Sequence, residues 1–134
     1  MKNLKNAVNF HGHLGPYLAL GLLMGDLALR HLKCEKHFGI KALVKGADKK
    51  PKSCLIDGIQ VSSGCTYGKG NIEKRRGSRI AVSFRSLQNN KKIGVSLKRD
   101  LIKALDNLDG HRHSEIFARE LLKINPKQLF ELKF

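Results

Sequence analysis

No tryptophan and only two tyrosines occur among the 134 residues, so a surface that stacks exposed bases on aromatic rings is not supported by composition. Acids are also scarce. Eleven Asp and Glu stand against 26 Lys and Arg, for a formal net charge of +15. Such an excess attracts phosphates, nucleic acid, anionic membrane or an acidic protein and says nothing about fold. A proteome-wide bias toward lysine would produce the same count. Cysteine occurs three times, at Cys34, Cys54 and Cys65. An odd number argues against a complete disulfide framework and suits a reducing compartment. The longest apolar run, Leu18 to Leu29, is too short to span a bilayer and is interrupted by Gly21, Gly25 and Asp26. Met1 to Asn9 lack the apolar core and cleavage site of a secretory leader. A cytoplasmic location without membrane attachment is therefore expected. Length predicts one domain, residues 1–134, with room for a sizeable core.

What is present is organised around Phe10-His11-Gly12-His13-Leu14-Gly15-Pro16-Tyr17. The apolar run that follows reads as a helix with little polar face, which belongs at the centre of a small protein. Pro16 suits the first helical turn, and the restriction it places on its predecessor keeps Gly15 extended or in a turn. His11 and His13 are thus expected in non-helical backbone, where an extended strand would point both imidazoles to one side.

Residues 40–47 read as a strand, followed by a lysine-rich turn. Ser53 is a plausible N-cap for a short helix over 54–61, and a glycine-rich loop spans 62–71. Alternation at 79–87 and 92–98 predicts an antiparallel hairpin with one buried face. Asp100 can cap a helix that buries Leu101, Leu105 and Leu108; a further helix covers 114–124, and 129–134 can pair at a sheet edge. This order predicts an α+β fold, with helices packed on one face of a mixed, mostly antiparallel sheet.

Two pairs of residues carry the sharpest chemical expectation. His11, His13, Cys54 and Cys65 form an imidazole and thiolate set of the kind that holds a divalent metal ion, zinc above all. Asp57 and Gln60 would orient those ligands. The competing reading makes Cys54 and Cys65 buried small hydrophobes. A second candidate is the loop containing Thr66, Gly68, Lys69 and Gly70, whose N–H groups could line an anion pocket with Lys69 supplying charge. Its glycine, lysine and hydroxyl order is not that of a Walker A loop. Cys65 or Thr66 with a histidine base is a weaker, nucleophilic reading. His111 and His113, like His31 and His37, read as surface residues. Lys69, Lys74, Arg75, Arg76 and Arg79 could meet nucleic-acid phosphates, yet no base-reading arrangement accompanies them.

Three stretches together carry a family resemblance: Phe10 to Gly21, Cys54 to Gln60, and Ser63 to Asn71. In order, and over nearly the whole chain, the sequence resembles the family of formylmethanofuran dehydrogenase E-subunits. The resemblance implies an α+β domain, commonly dimeric, with a zinc-like metal site. It carries that site onto His11, His13, Cys54 and Cys65, with Asp57, Gln60 and Lys69 beside them. Many members have a cysteine two residues after the second histidine, where this chain has Gly15. Many also carry a C-terminal zinc ribbon, absent from this sequence. The implied role is a metal-binding accessory or cofactor-handling protein of one-carbon or molybdopterin-type redox metabolism, related to methanogenesis. Its basic surface would meet an acidic partner or an anionic cofactor. The alternatives are a stand-alone metal-dependent enzyme acting on a small anionic substrate, and a basic module that binds nucleic acid or protein.

Overall fold

The computed structural model describes residues 3–134, and of His111 only the backbone. Its first helix, α1 (Leu4–His11), ends at Gly12, whose φ of 112° lies in the left-handed region that glycine, having no Cβ, enters without penalty. The turn leads into α2 (Pro16–Leu32), with Pro16 at the first helical position and Gly15 extended before it. Twelve of its 17 residues are buried, which is why its apolar residues wrap nearly the whole circumference. His11 is therefore the last residue of a helix, not part of an extended segment. The repeated turn residues after it hid the amphipathic pattern of Leu4, Ala7 and Val8, which pack into a small cluster with Leu14, Leu18 and Leu22.

The remaining elements are β1 (Ile40–Lys45), α3 (Cys54–Ser63), β2 (Ile72–Arg75), β3 (Ala81–Ser86), β4 (Lys92–Leu97), α4 (Arg99–Asp106), α5 (Gly110–Leu121), α6 (Pro126–Leu129) and β5 (Phe130–Lys133). The strands form one sheet in the order β2-β1-β3-β4-β5. β1 and β2 pair in parallel across α3, and the other pairings are antiparallel. The architecture is α+β, with the helices packed against a mixed, mostly antiparallel sheet, as the hydrophobic patterning predicts. Alternation places Ile40, Ala42, Val44, Val82, Phe84, Ile93 and Val95 in the core. The other sheet face keeps Lys41, Lys45, Ser83, Arg85 and Lys92 exposed.

Three local expectations fail for identifiable reasons. Ser53 has helical backbone angles and makes no capping hydrogen bond; the chain is already turned by residues 49–53, where the Ser53 N–H reaches the Lys49 carbonyl. Lys98, not Asp100, is the residue before α4, and Asp100 lies within its first turn. The loop expected from residue 62 begins only after Ser63, the last residue of α3, and it leads into β2, whose pairing with β1 supports a strand of which only Ile72 is buried.

The junction of α2 and α3 positions the site. A Cβ on Gly21 would lie 2.1 Å from the Leu55 carbonyl, and one on Gly58 would lie 2.3 Å from the Leu18 carbonyl. The two helices thus meet backbone to backbone. The Ser62 hydroxyl donates to the Gly21 carbonyl at 3.1 Å. This close approach brings the first turn of α3 beside the end of α1.

Candidate functional site

His11 closes α1 and Asp57 stands one turn into α3; their meeting is the centre of the site. Nδ1 of His11 lies 2.6 Å from Oδ2 of Asp57, with the imidazole 12% exposed and the carboxyl group 34% exposed. A carboxylate only accepts, so the ring N–H donates at Nδ1 and leaves Nε2 as the nitrogen available to a ligand. The His13 ring stands beside that of His11, with centroids 5.0 Å apart and planes tilted by 34°. The two histidines do come together, by a helix end and a tight turn.

Two pockets share His11 and Cys54. The larger, of about 640 Å³, has apolar walls from Val8, Leu14, Pro16, Tyr17 and Pro51, with His13, Ser114, Glu115 and Arg119 completing it. The smaller, of about 430 Å³, adds Lys50, Ser53, Asp57, Tyr67 and Lys74. Burial pushes the Tyr17 hydroxyl up from its ordinary value, helped by the Asp106 carboxylate. Tyr67 is raised by burial and then by Asp57. Both therefore remain hydrogen-bond donors at neutral pH. Burial also raises the Cys54 thiol, Asp57 raises it further, and Lys50 pulls the other way. Cys54 is accordingly a neutral thiol facing the pockets.

The metal expectation is overturned. Among the described residues no group of three or more His, Cys, Asp or Glu side chains is placed to hold a metal ion. Cys65 is fully buried in the main core, where its Sγ donates to the Ile40 carbonyl at 3.5 Å. Burial raises its thiol, with smaller opposing effects from Ser63 and Lys69. Asp57 is engaged by His11, and the position after His13-Leu14 is a glycine. His11, His13, Cys54 and Cys65 consequently do not fit a zinc ion. One thiol is sealed in the core while the other faces the pockets, so the two sulfurs are not placed to share one ion.

The glycine-rich loop lies next door. Gln60 accepts from the Tyr67 N–H at 3.3 Å and so positions that residue. Thr66 and Gly68 line a small pocket of about 310 Å³ with Phe10, Gln60, Val61 and Tyr67. The Lys69 ammonium donates to the Gly64 carbonyl at 2.6 Å and to the Thr66 hydroxyl at 3.1 Å. The N–H groups of Lys69 and Gly70 both reach the Thr66 carbonyl. The loop thus spends its cation and these two donors on its own shape.

Sequence reasoning missed Lys50 and Lys74 as lining residues, together with Pro51, Tyr67 and Arg119. Lys50 and Pro51 belonged to a turn that read as solvated, although they stand directly before the helix bearing Cys54. Nothing in the sequence announced Arg119 and Glu115, which reach the pocket because α5 packs across α2; they pair with each other at 3.3 Å. Of the remaining histidines, His113 is exposed, with Nδ1 2.9 Å from the Asp109 carbonyl oxygen. The side chain of His111 lies outside the described residues.

The profile of a family described as "FmdE, Molybdenum formylmethanofuran dehydrogenase operon" matches residues 10–131. A curated relative, a probable S-adenosyl-L-methionine-binding protein of Archaeoglobus fulgidus, is 36% identical over 75 residues. That match spans 52% of this chain but only 19% of the relative. A crystal structure of a tungsten formylmethanofuran dehydrogenase FmdE-like protein from Syntrophus aciditrophicus superposes with a TM-score of 0.71 at 22% identity. It covers 98% of this chain and 69% of that one, and at that identity it speaks to the fold alone.

Proposed function

The chain belongs to the FmdE family of the molybdenum formylmethanofuran dehydrogenase operon, and from that premise we propose a ligand-handling accessory protein of one-carbon or molybdopterin-type redox metabolism. The observation that carries this reading is the His11–Asp57 pair at the junction of two pockets. The apolar walls of the larger pocket suit the body of a small organic ligand. His11 Nε2 takes a hydrogen-bonding or acidic group of that ligand, and Lys50 and Lys74 stand where a carboxylate of the ligand can be met. Asp57 fixes the imidazole tautomer and orientation, as a carboxylate behind a histidine does elsewhere. The pair can hold or pass one proton at Nε2 without a large rearrangement. The neutral Cys54 thiol contributes a soft, weakly polar wall.

The test is a ligand-induced shift in thermal stability. S-adenosyl-L-methionine, the ligand in the curated relative's name, and 5-formyltetrahydrofolate, a one-carbon carrier with carboxylates, are the two probes. A ligand at a hundredfold excess over its Kd adds about 2.7 kcal/mol of stability. His11→Ala should weaken the productive probe by about 10- to 100-fold, the worth of a hydrogen bond involving a charged group. No shift with either probe, or an undiminished shift in His11→Ala, sinks this assignment.

A further inference from the structure

We infer that the exposed sheet face is a docking surface for the phosphate backbone of a nucleic-acid duplex, independent of the pocket. Strand register places Lys41 of β1 directly opposite Arg85 of β3, and Arg85 directly opposite Lys92 of β4. All three are exposed. With strands about 4.8 Å apart, they make a straight row of like charge about 10 Å long. At the β2 side Arg75 stands opposite Lys45. Directly opposed like charges destabilise a sheet, so the row of Lys41, Arg85 and Lys92 brings the free protein a cost.

The outward carboxylates on the strands do not interrupt the row. Glu73 is engaged by Arg75 at 3.2 Å, and Glu131 lies on β5 opposite Ser96. Between the charges the floor is small and flat. Ser83 faces Gly94, and Ala81 faces Ser96.

The chemistry of this face selects its occupant. A protein partner needs a desolvated centre with aromatic or large apolar anchors, and here the strands offer only the half-buried Leu43. The outward strand positions carry no aromatic ring on which single-stranded bases would stack. A second copy would bring the same sign of charge. A duplex backbone needs only cations at a surface it can approach, and it gains affinity by releasing condensed counterions. The contact would be independent of base sequence.

The experiment is fluorescence anisotropy with a labelled 20-base-pair DNA duplex of mixed sequence, between 50 and 200 mM KCl. The face variant K41Q/R85Q/K92Q is compared with a control of equal charge, K5Q/K103Q/K123Q, at exposed lysines outside the strands. Each lost phosphate contact lowers the salt slope of log K by about 0.9. The face variant should lose two to three such steps, about tenfold or more in affinity at 100 mM KCl, while the control loses about threefold or less. The face variant relieves repulsion and should melt no lower than wild type, so lost binding is not lost folding. Absence of duplex binding at 50 mM KCl, or equal losses in both variants, overturns the proposal. So does a polyglutamate peptide that binds this face while the duplex does not.

Discussion

At the scale of single residues, Cys54 is the place where two electrostatic effects compete. The first position of a helix favours a thiolate, yet burial and then Asp57 raise this thiol, against a smaller opposite effect of Lys50. Burial is the largest of these influences on the thiol. Cys54 should react slowly with iodoacetamide at pH 7, and its rate should still be rising above pH 9. Asp57→Asn removes the nearby negative charge, so the same profile should move to lower pH. Peptide mass mapping separates Cys54 from Cys34 and from the fully buried Cys65. An unchanged profile in Asp57→Asn would remove the carboxylate from the electrostatics of the pocket. Cys65 belongs to the core instead. Cys65→Ala should cost about 1 kcal/mol, as other small deletions in a packed interior do, and should leave any ligand-induced stabilisation at the wild-type level.

The elements impose a different kind of constraint. Alanine is favoured over glycine in a helix by about 1 kcal/mol, so Gly21→Ala would stabilise an isolated α2. In the folded protein its Cβ would meet the Leu55 carbonyl at 2.1 Å, and a backbone atom cannot rotate away. Overpacking of about 1–3 kcal/mol then outweighs propensity. Gly21→Ala should lower the urea midpoint and, by pushing α3 away, also weaken the His11–Asp57 contact and the response to ligand. On the sheet, Arg85→Glu places an acid between Lys41 and Lys92. Each opposite-charge pair is worth about 0.2–1 kcal/mol, so the variant should be more stable than wild type at low salt. That gain should fade toward 0.5 M KCl, where screening shortens the reach of surface charges.

Taken whole, the molecule carries +15 charges on a small surface and repels itself. The Debye length falls from about 30 Å at 0.01 M salt to about 10 Å at 0.1 M. Raising KCl from 10 to 300 mM should therefore raise the melting temperature of the wild type, which scanning calorimetry measures. A flat or falling curve would mean that the cations are already balanced within the fold. Among the described residues no helix is long and apolar enough to cross a membrane, and the charge is distributed over the exposed sheet face, the pocket rim and the helices.

The sequence by itself determined the elements whose hydrophobic period is unbroken. The central helix after Pro16, the 79–98 hairpin and the helices carrying Leu101 and Leu121 follow from side chains that must leave water, and with them came the α+β class; the family resemblance came instead from the stretches Phe10 to Gly21, Cys54 to Gln60 and Ser63 to Asn71. It also placed His11, His13, Cys54 and Asp57 in two short stretches. Local pattern failed where long-range pairing supplies the stability: α1 forms because Ala7 and Leu4 find Leu18 and Leu22, and β2 forms because β1 offers it a ladder. Only the tertiary structure decided which polar groups meet. Glycines in α2 and α3 let two backbones touch, which set Asp57 against His11, while Cys65 was sealed in the core against the Ile40 carbonyl. Spacing along a chain cannot report that difference, because a thiol's role depends on what the fold buries around it.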